Sequence, residues 1–159
     1  MRESVESRSN NSFNSKNRNP EPQPESRVGA MLLIEDERLI RESLADVMFQ
    51  IGVPTLAAAN GSLGVDLYRE HADSISLVFL DYLMPIMNGE QTFYELRKIN
   101  PHVKVIFSSC NLQPDIQNRL QRENHIEFLP KPFNLKALLH KVEKVFAKEG
   151  VGLQLQAYA

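Results

Sequence analysis

Cysteine is all but absent from this chain of 159 residues, where Cys110 stands alone. A lone thiol excludes an internal disulfide and fits a reducing compartment. Long apolar runs are missing too: no window approaches the ~18 residues of a membrane-spanning helix, and the N-terminus has no apolar core of a secretory signal. Neither sign of charge prevails. With 18 Lys and Arg against 20 Asp and Glu, the net charge of −2 leaves no electrostatic footprint for nucleic acid. The four histidines, His71, His102, His125 and His140, lie far apart without metal-ligand spacing and read as surface residues. No internal repeat is visible. These absences point to a cytoplasmic protein with neither membrane nor nucleic acid among its partners.

What is present is ordinary for a globular protein. Hydrophobic content of 42% and a length sufficient for one well-filled core imply a single domain. Residues 1–27 stand apart. They are rich in Ser, Asn, Arg and Glu, close on Pro20-Glu21-Pro22-Gln23-Pro24, and offer only Met1, Val5 and Phe13 as apolar residues. Such a segment cannot bury enough surface to offset its ordering entropy, so a disordered tail is expected.

From Val28 onward, strand and helix signals alternate. Short apolar runs mark strands at 30–34, 54–58, from Leu77 to Asp81, at 103–108 and at 126–129. Helical periodicity marks 37–50, 60–71, 88–100, 114–123 and 134–148, with Leu63, Leu67 and Tyr68 expected inward on the second helix. Gly52 stops the first helix, Asn60 caps the second, and Pro101 ends the third. Pro54 can donate no ladder bond and places the second strand at a sheet edge or a strand start. Five strands alternating with five helices through short loops imply right-handed crossovers and a parallel sheet, an α/β fold. Residues 150–159 are too few for a domain and are expected to fray. No output domain is expected on this chain.

The chemistry gathers at the strand ends. Leu77-Val78-Phe79-Leu80 runs straight into Asp81, and Met31-Leu32-Leu33-Ile34 runs into Glu35-Asp36-Glu37. In open α/β sheets the carboxyl edge is where ligands bind. Several carboxylates brought to one edge repel and need a cation, for which Mg²⁺, a hard ion taking oxygen ligands, is suited. Strand four ends in Ser108-Ser109 and strand five leads to Lys131. A hydroxyl to donate to a phosphoryl oxygen and an ammonium to neutralise developing charge complete a phosphoryl-handling set. Asp81 itself is a possible nucleophile, as in aspartyl-phosphate chemistry.

These residues make the chain resemble the receiver domain of the two-component response-regulator family over about 28–149. Glu35-Asp36 matches the acidic pair, Asp81 within Asp81-Tyr82-Leu83-Met84-Pro85-Ile86-Met87-Asn88-Gly89 the phosphoacceptor, Ser109 the switch hydroxyl, Phe128 the switch aromatic, and Lys131-Pro132-Phe133 the Lys-Pro-Phe motif. The spacings of 45, 28 and 22 residues between Asp36, Asp81, Ser109 and Lys131 suit the family. The resemblance implies a flavodoxin-like (βα)5 three-layer sandwich of strand order 2-1-3-4-5. It implies Mg²⁺ held by Asp36, Asp81 and the backbone carbonyl of Leu83, with Glu35 in the outer shell. It implies phosphate taken on Asp81 from a sensor histidine kinase or a histidine phosphotransfer protein, and a surface switched through Ser109 and Phe128 toward a downstream protein partner. Catalysis would be limited to self-phosphorylation and self-dephosphorylation. Three departures stand out: Glu35 replaces Asp, Cys110 replaces Ala or Gly, and Asn124-His125 precedes strand five without the usual Gly.

Other readings stay open at this level. Singly, the acids of 35–37 would complement a helix dipole, an effect of about 0.3–1 kcal/mol. Phe128 alone reads as core, and Cys110 as a small packed residue. A flavin carrier would share the fold, but its phosphate wants amides and hydroxyls where this chain is acidic. An aspartyl-nucleophile phosphatase places a second acid two residues after the first, where Leu83 stands here. A degenerate receiver serving only as a scaffold is the remaining alternative.

Overall fold

Each apolar run takes the strand conformation and each amphipathic run coils against it, giving the order β1 (Ala30–Ile34), α1 (Arg38–Gln50), β2 (Thr55–Ala58), α2 (Gly61–His71), β3 (Ile75–Asp81), α3 (Gly89–Ile99), β4 (Val105–Ser109), α4 (Pro114–Gln121), β5 (Ile126–Pro130) and α5 (Leu135–Phe146), with a 3₁₀ turn at Ala147–Glu149. This computed structural model describes residues 29–150 and 152–155. The expected disordered tail lies outside them. Bounds differ from expectation by a residue or two at half of the strand ends: β3 begins at Ile75, β4 at Val105, and β5 runs on to Pro130.

The sheet is parallel throughout in the order β2-β1-β3-β4-β5. The edge position of β2 explains why Pro54 is tolerated beside it: its carbonyl accepts from Met31 N–H at 2.8 Å, and no N–H is required in return. Strand alternation divides the apolar residues between two cores. Leu32, Ile34, Val78, Leu80 and Phe107 meet Tyr68, Phe93, Leu96 and Leu120 on the α2–α3–α4 side. Met31, Leu33, Leu77, Phe79 and Ile106 meet Met48, Leu138, Val142 and Phe146 on the α1–α5 side. The buried Tyr68 hydroxyl accepts from Asn100 Nδ2 at 3.0 Å, so it carries no unpaired polar atom into the core.

Asparagines set where three helices begin. Asn60 and Asn134 accept from Leu63 N–H and Ala137 N–H at 2.9 and 2.8 Å, and Asn88 forms a reciprocal box with Gln91. Two expectations are corrected here. Leu63 is 50% exposed rather than inward. The cause is Gly64: a Cβ there would collide with the Ile34 side chain, so α2 lies on the sheet through Gly61, Gly64, Val65 and Tyr68 and turns Leu63 outward. The expected fraying of 150–159 fails at 152–155. Leu153 and Leu155 pack on the α1–α5 core, and Gln154 N–H donates to Ile51 O at 3.1 Å.

Candidate functional site

Alternation along the strands decides which side chains meet at the carboxyl edge. Leu33, Phe79 and Leu129 face the α1–α5 core, so two residues on, Glu35, Asp81 and Lys131 point to that same side. Phe107 and Phe128 face the other side, and Ser109 shares their crevice. The sequence-predicted residues thus divide into a charged group and a hydroxyl–aromatic group on opposite faces of β4.

Lys131 joins the charged group. Its Nζ lies 3.0 Å from Glu35 Oε2 and 3.0 Å from Asp81 Oδ1. Glu35 and Asp81 are 1% and 4% exposed, so both carboxylates have left bulk water. Asp36 is exposed, yet one oxygen each from Glu35, Asp36 and Asp81 falls within 4.8 Å of the others. Two of these three carboxylates, Glu35 and Asp81, therefore share the Lys131 ammonium. Burial, with Asp81 beside it, pushes the Glu35 carboxyl above its ordinary range despite Lys131. Burial, with Asp36 added, does the same to Asp81. Burial alone would lower Lys131, but its hydrogen bonds to Glu35 and Asp81 and their charges raise it. All three shifts have one origin, an excess of negative charge in a poorly hydrated place.

The loops hold this cluster in shape. Arg41, from the first turn of α1, reaches back so that its Nη1 donates to Glu35 O at 2.7 Å and to Asp36 O at 3.1 Å. Glu37 N–H donates to Glu35 Oε1 at 3.3 Å. After β3, Gly89 N–H donates to Tyr82 O at 2.8 Å, and a Cβ on Gly89 would stand 2.7 Å from Asp81 O, so only glycine lets α3 begin against the acceptor strand. Between them the loop exposes Leu83 and Ile86. Ile86 has φ 72° and is 89% exposed, a left-handed conformation that a β-branched residue adopts under strain.

Across β4, Ser109 is buried and its Oγ accepts from Asn111 N–H at 3.3 Å. Its carbonyl accepts from Lys131 N–H at 2.8 Å, tying β4 to the Lys131 loop. Phe128 is half-buried, stacked on Phe107 at 6.0 Å between centroids and lining a crevice with Ser109, Leu112 and Gln117.

Cys110 corrects an expectation: it is exposed, because β4 ends at Ser109 and the next side chain opens toward the groove beside Pro132 and Phe133. The histidines are surface residues in part as expected, but the fold brings the rings of His102 and His125 to 5.9 Å, since the α3–β4 and α4–β5 loops meet at the amino edge. Sequence reasoning missed Arg41. An arginine five residues past an acidic pair at a helix start was the available signal.

The donor set suits a hard divalent cation. Among the described residues three carboxylate oxygens converge without a histidine nitrogen or cysteine sulfur, which favours Mg²⁺ over the softer transition metals. Burial chiefly, and the neighbouring carboxylate besides, raise Glu35 and Asp81, and that neighbouring negative charge is what such an ion would neutralise.

A family model described as the response regulator receiver domain matches residues 31–143. Among curated proteins, the chain is 32% identical over 119 residues to the sensor kinase CckA of Brucella abortus, covering 75% of this chain but 13% of that kinase. It is 28% identical over 115 residues to the chemotaxis protein CheY of Bacillus subtilis, covering 72% of this chain and 94% of CheY. Among solved structures, a response regulator receiver domain protein from Clostridium thermocellum superposes with a TM-score of 0.67 at 26% identity, covering 77% of this chain and 97% of that one. The chain thus spans a small part of the first of these relatives and nearly all of the second.

Proposed function

Because the chain belongs to the response regulator receiver domain family of two-component signalling, we propose that it accepts a phosphoryl group on Asp81 from the phosphohistidine of a sensor histidine kinase or histidine phosphotransfer protein. An Asp81 oxygen attacks phosphorus, the P–N bond of the donor breaks, and its electron pair stays on the departing imidazole nitrogen, leaving an acyl phosphate on Asp81. Lys131, already on Asp81 Oδ1, follows the negative charge onto the phosphoryl oxygens. The Ser109 hydroxyl donates to a phosphoryl oxygen. Asp36, Asp81 and the Leu83 carbonyl would hold Mg²⁺, with Glu35 beside them. When bound, the ion neutralises charge on the transferring group. The chain acts on no other substrate and works in the cytoplasm.

The output is a change of surface. Phosphorylation adds about −1.5 to −2 charges at neutral pH and strong acceptor oxygens. Drawing Ser109 toward them opens space for Phe128 and reshapes α4, β5 and α5 for a downstream protein partner. Phosphate acts only through its different interaction with the two states, for which about 1–3 kcal/mol is the usual range.

The observation carrying this reading is the part-buried Lys131–Asp81 pair beside two further carboxylates. Phosphoramidate with Mg²⁺ should add one phosphoryl group by intact mass, and EDTA or Asp81→Asn should abolish it. Equal labelling of Asp81→Asn would refute the assignment and leave the phosphorylation-independent scaffold.

A further inference from the structure

Ser108 is fully buried, and among the described residues its Oγ has no hydrogen-bond partner. Such a hydroxyl has lost water without replacement, which costs stability, and buried hydroxyls in native folds are nearly always paired. The register says where it lies. Along β4, Ile106 faces the α1–α5 core while Val105 and Phe107 face the opposite core, so alternation turns Ser108 to the α1–α5 side. Its register neighbours are Asp81 on β3 and Leu129 on β5. Glu35 follows Ile34, which pairs with Leu80, and so occupies the same level one strand further on. Glu35, Asp81 and Ser108 form a polar row across three strands, on the face from which Lys131 approaches. Ser109, the hydroxyl already assigned, lies on the other face of β4.

Lys131 supplies the reason for a hydroxyl at this level. Its ammonium has three donors, and Glu35 and Asp81 engage it at 3.0 Å each. Once Asp81 carries a phosphoryl group, the reading on which this inference rests, the ammonium turns to new oxygens and its present bonds are broken or lengthened. A serine hydroxyl donates, accepts and rotates to suit. An apolar residue would give the moving ammonium no partner on the sheet side. We propose that Ser108 is a positioning residue for Lys131, its hydroxyl accepting a hydrogen bond from the Lys131 ammonium in the phosphorylated state and holding that cation against the phosphoryl group.

Beryllofluoride with Mg²⁺ serves as the phosphoryl mimic, and two quantities are read by NMR: its affinity, and the ¹H–¹⁵N resonance of the Lys131 ammonium in the complex. Ser108→Ala should melt at or above the wild type, having lost an unpaired buried hydroxyl. It should nevertheless bind the mimic about 10-fold more weakly, the scale of one hydrogen bond to a charged group, and its Lys131 resonance should broaden or shift. A purely structural hydroxyl would leave that resonance in place, so an unchanged affinity and resonance overturn the proposal. If Ser108→Ala melts lower than the wild type, Ser108→Cys, similar in shape but a poor acceptor, decides in its stead: weakened binding supports the proposal and wild-type binding overturns it. Failure of the wild type to bind the mimic, or equal binding by Asp81→Asn, overturns the acceptor reading and this proposal with it. Wild-type binding unaltered by Ser108→Ala overturns this proposal alone.

Discussion

Replacing Glu35 by Gln should stabilise the metal-free protein, although Glu35 makes a buried ion pair. At an effective dielectric of about 20, its 3.0 Å contact with Lys131 amounts to roughly 5.5 kcal/mol of attraction. Repulsion from Asp81 at up to 4.8 Å amounts to roughly 3.5 kcal/mol on the same scale. Asp36 is at similar range but exposed, and solvent screening reduces its share to roughly half of that. Attraction and repulsion therefore nearly cancel, and the burial of the carboxylate goes unoffset, in agreement with its raised pKa. Glutamine retains an oxygen for Lys131 and for Glu37 N–H while losing the charge. The expected gain is about 1 kcal/mol, or about 4 °C in Tm for a domain of this size. With Mg²⁺ the order reverses, because a saturating ligand adds about 2.7 kcal/mol at 100 times its Kd, and Glu35→Gln binds the ion less tightly. The pH dependence has a definite sign. A carboxyl whose folded pKa is raised takes up protons more readily folded than unfolded. The metal-free wild type therefore gains stability as pH falls through the raised values of Glu35 and Asp81 toward the ordinary 4.5 and 3.8. Glu35→Gln flattens that slope. Differential scanning calorimetry with EDTA and with Mg²⁺, across pH, reads all three effects. A fall in metal-free stability by the about 3–5 kcal/mol typical of a broken buried pair would refute the reasoning.

Arg41→Met frees the carbonyls of Glu35 and Asp36 and should weaken Mg²⁺ about 10-fold, the scale of lost outer-shell contacts, as read by isothermal titration; unchanged affinity would count against a positioning role. Ile86→Asn relieves a left-handed β-branched residue that is 89% exposed, and should raise stability by about 1 kcal/mol in urea melts, whereas a loss would refute strain at this position. Self-dephosphorylation should be slow, with a half-life of minutes or longer by ³²P release. The side chain two residues past Asp81 is the exposed Leu83, which cannot orient a water, and Asn111 can do so from one side only; a half-life of seconds would contradict this.

The strands and helices were legible because short apolar runs ending in acids or turn residues admit few alternatives, and parallel order followed from the alternation. Helix orientation was less so. Leu63 was expected inward because periodicity counts apolar side chains, whereas the backbone of α2 lies on Ile34 through Gly64, which has no side chain to count. Cys110 was misjudged for a related reason. Its neighbours in sequence are a buried strand, but the strand ends one residue before it. At the C-terminus, Leu153 and Leu155 alternate like a strand yet are too few to signal docking, and only the open end of α1 at Ile51 makes a place for them.

The site was legible as a set of residue types but not as a balance of charge. Sequence places Glu35, Asp36, Asp81 and Lys131 at one edge. It does not say that Glu35 lies deeper than Asp36, or that a single ammonium serves two buried carboxylates at equal distance. That arrangement follows from β1 and β3 being neighbours in register, so that Glu35 and Asp81 share a level while Asp36, one residue on, turns toward solvent. The result is a centre poised by its own excess of negative charge. Added positive charge is welcome there, and Lys131 has no exclusive partner to leave when the charge on Asp81 moves outward. Asp36 remains reachable from solvent, so an incoming cation would meet it before the buried two.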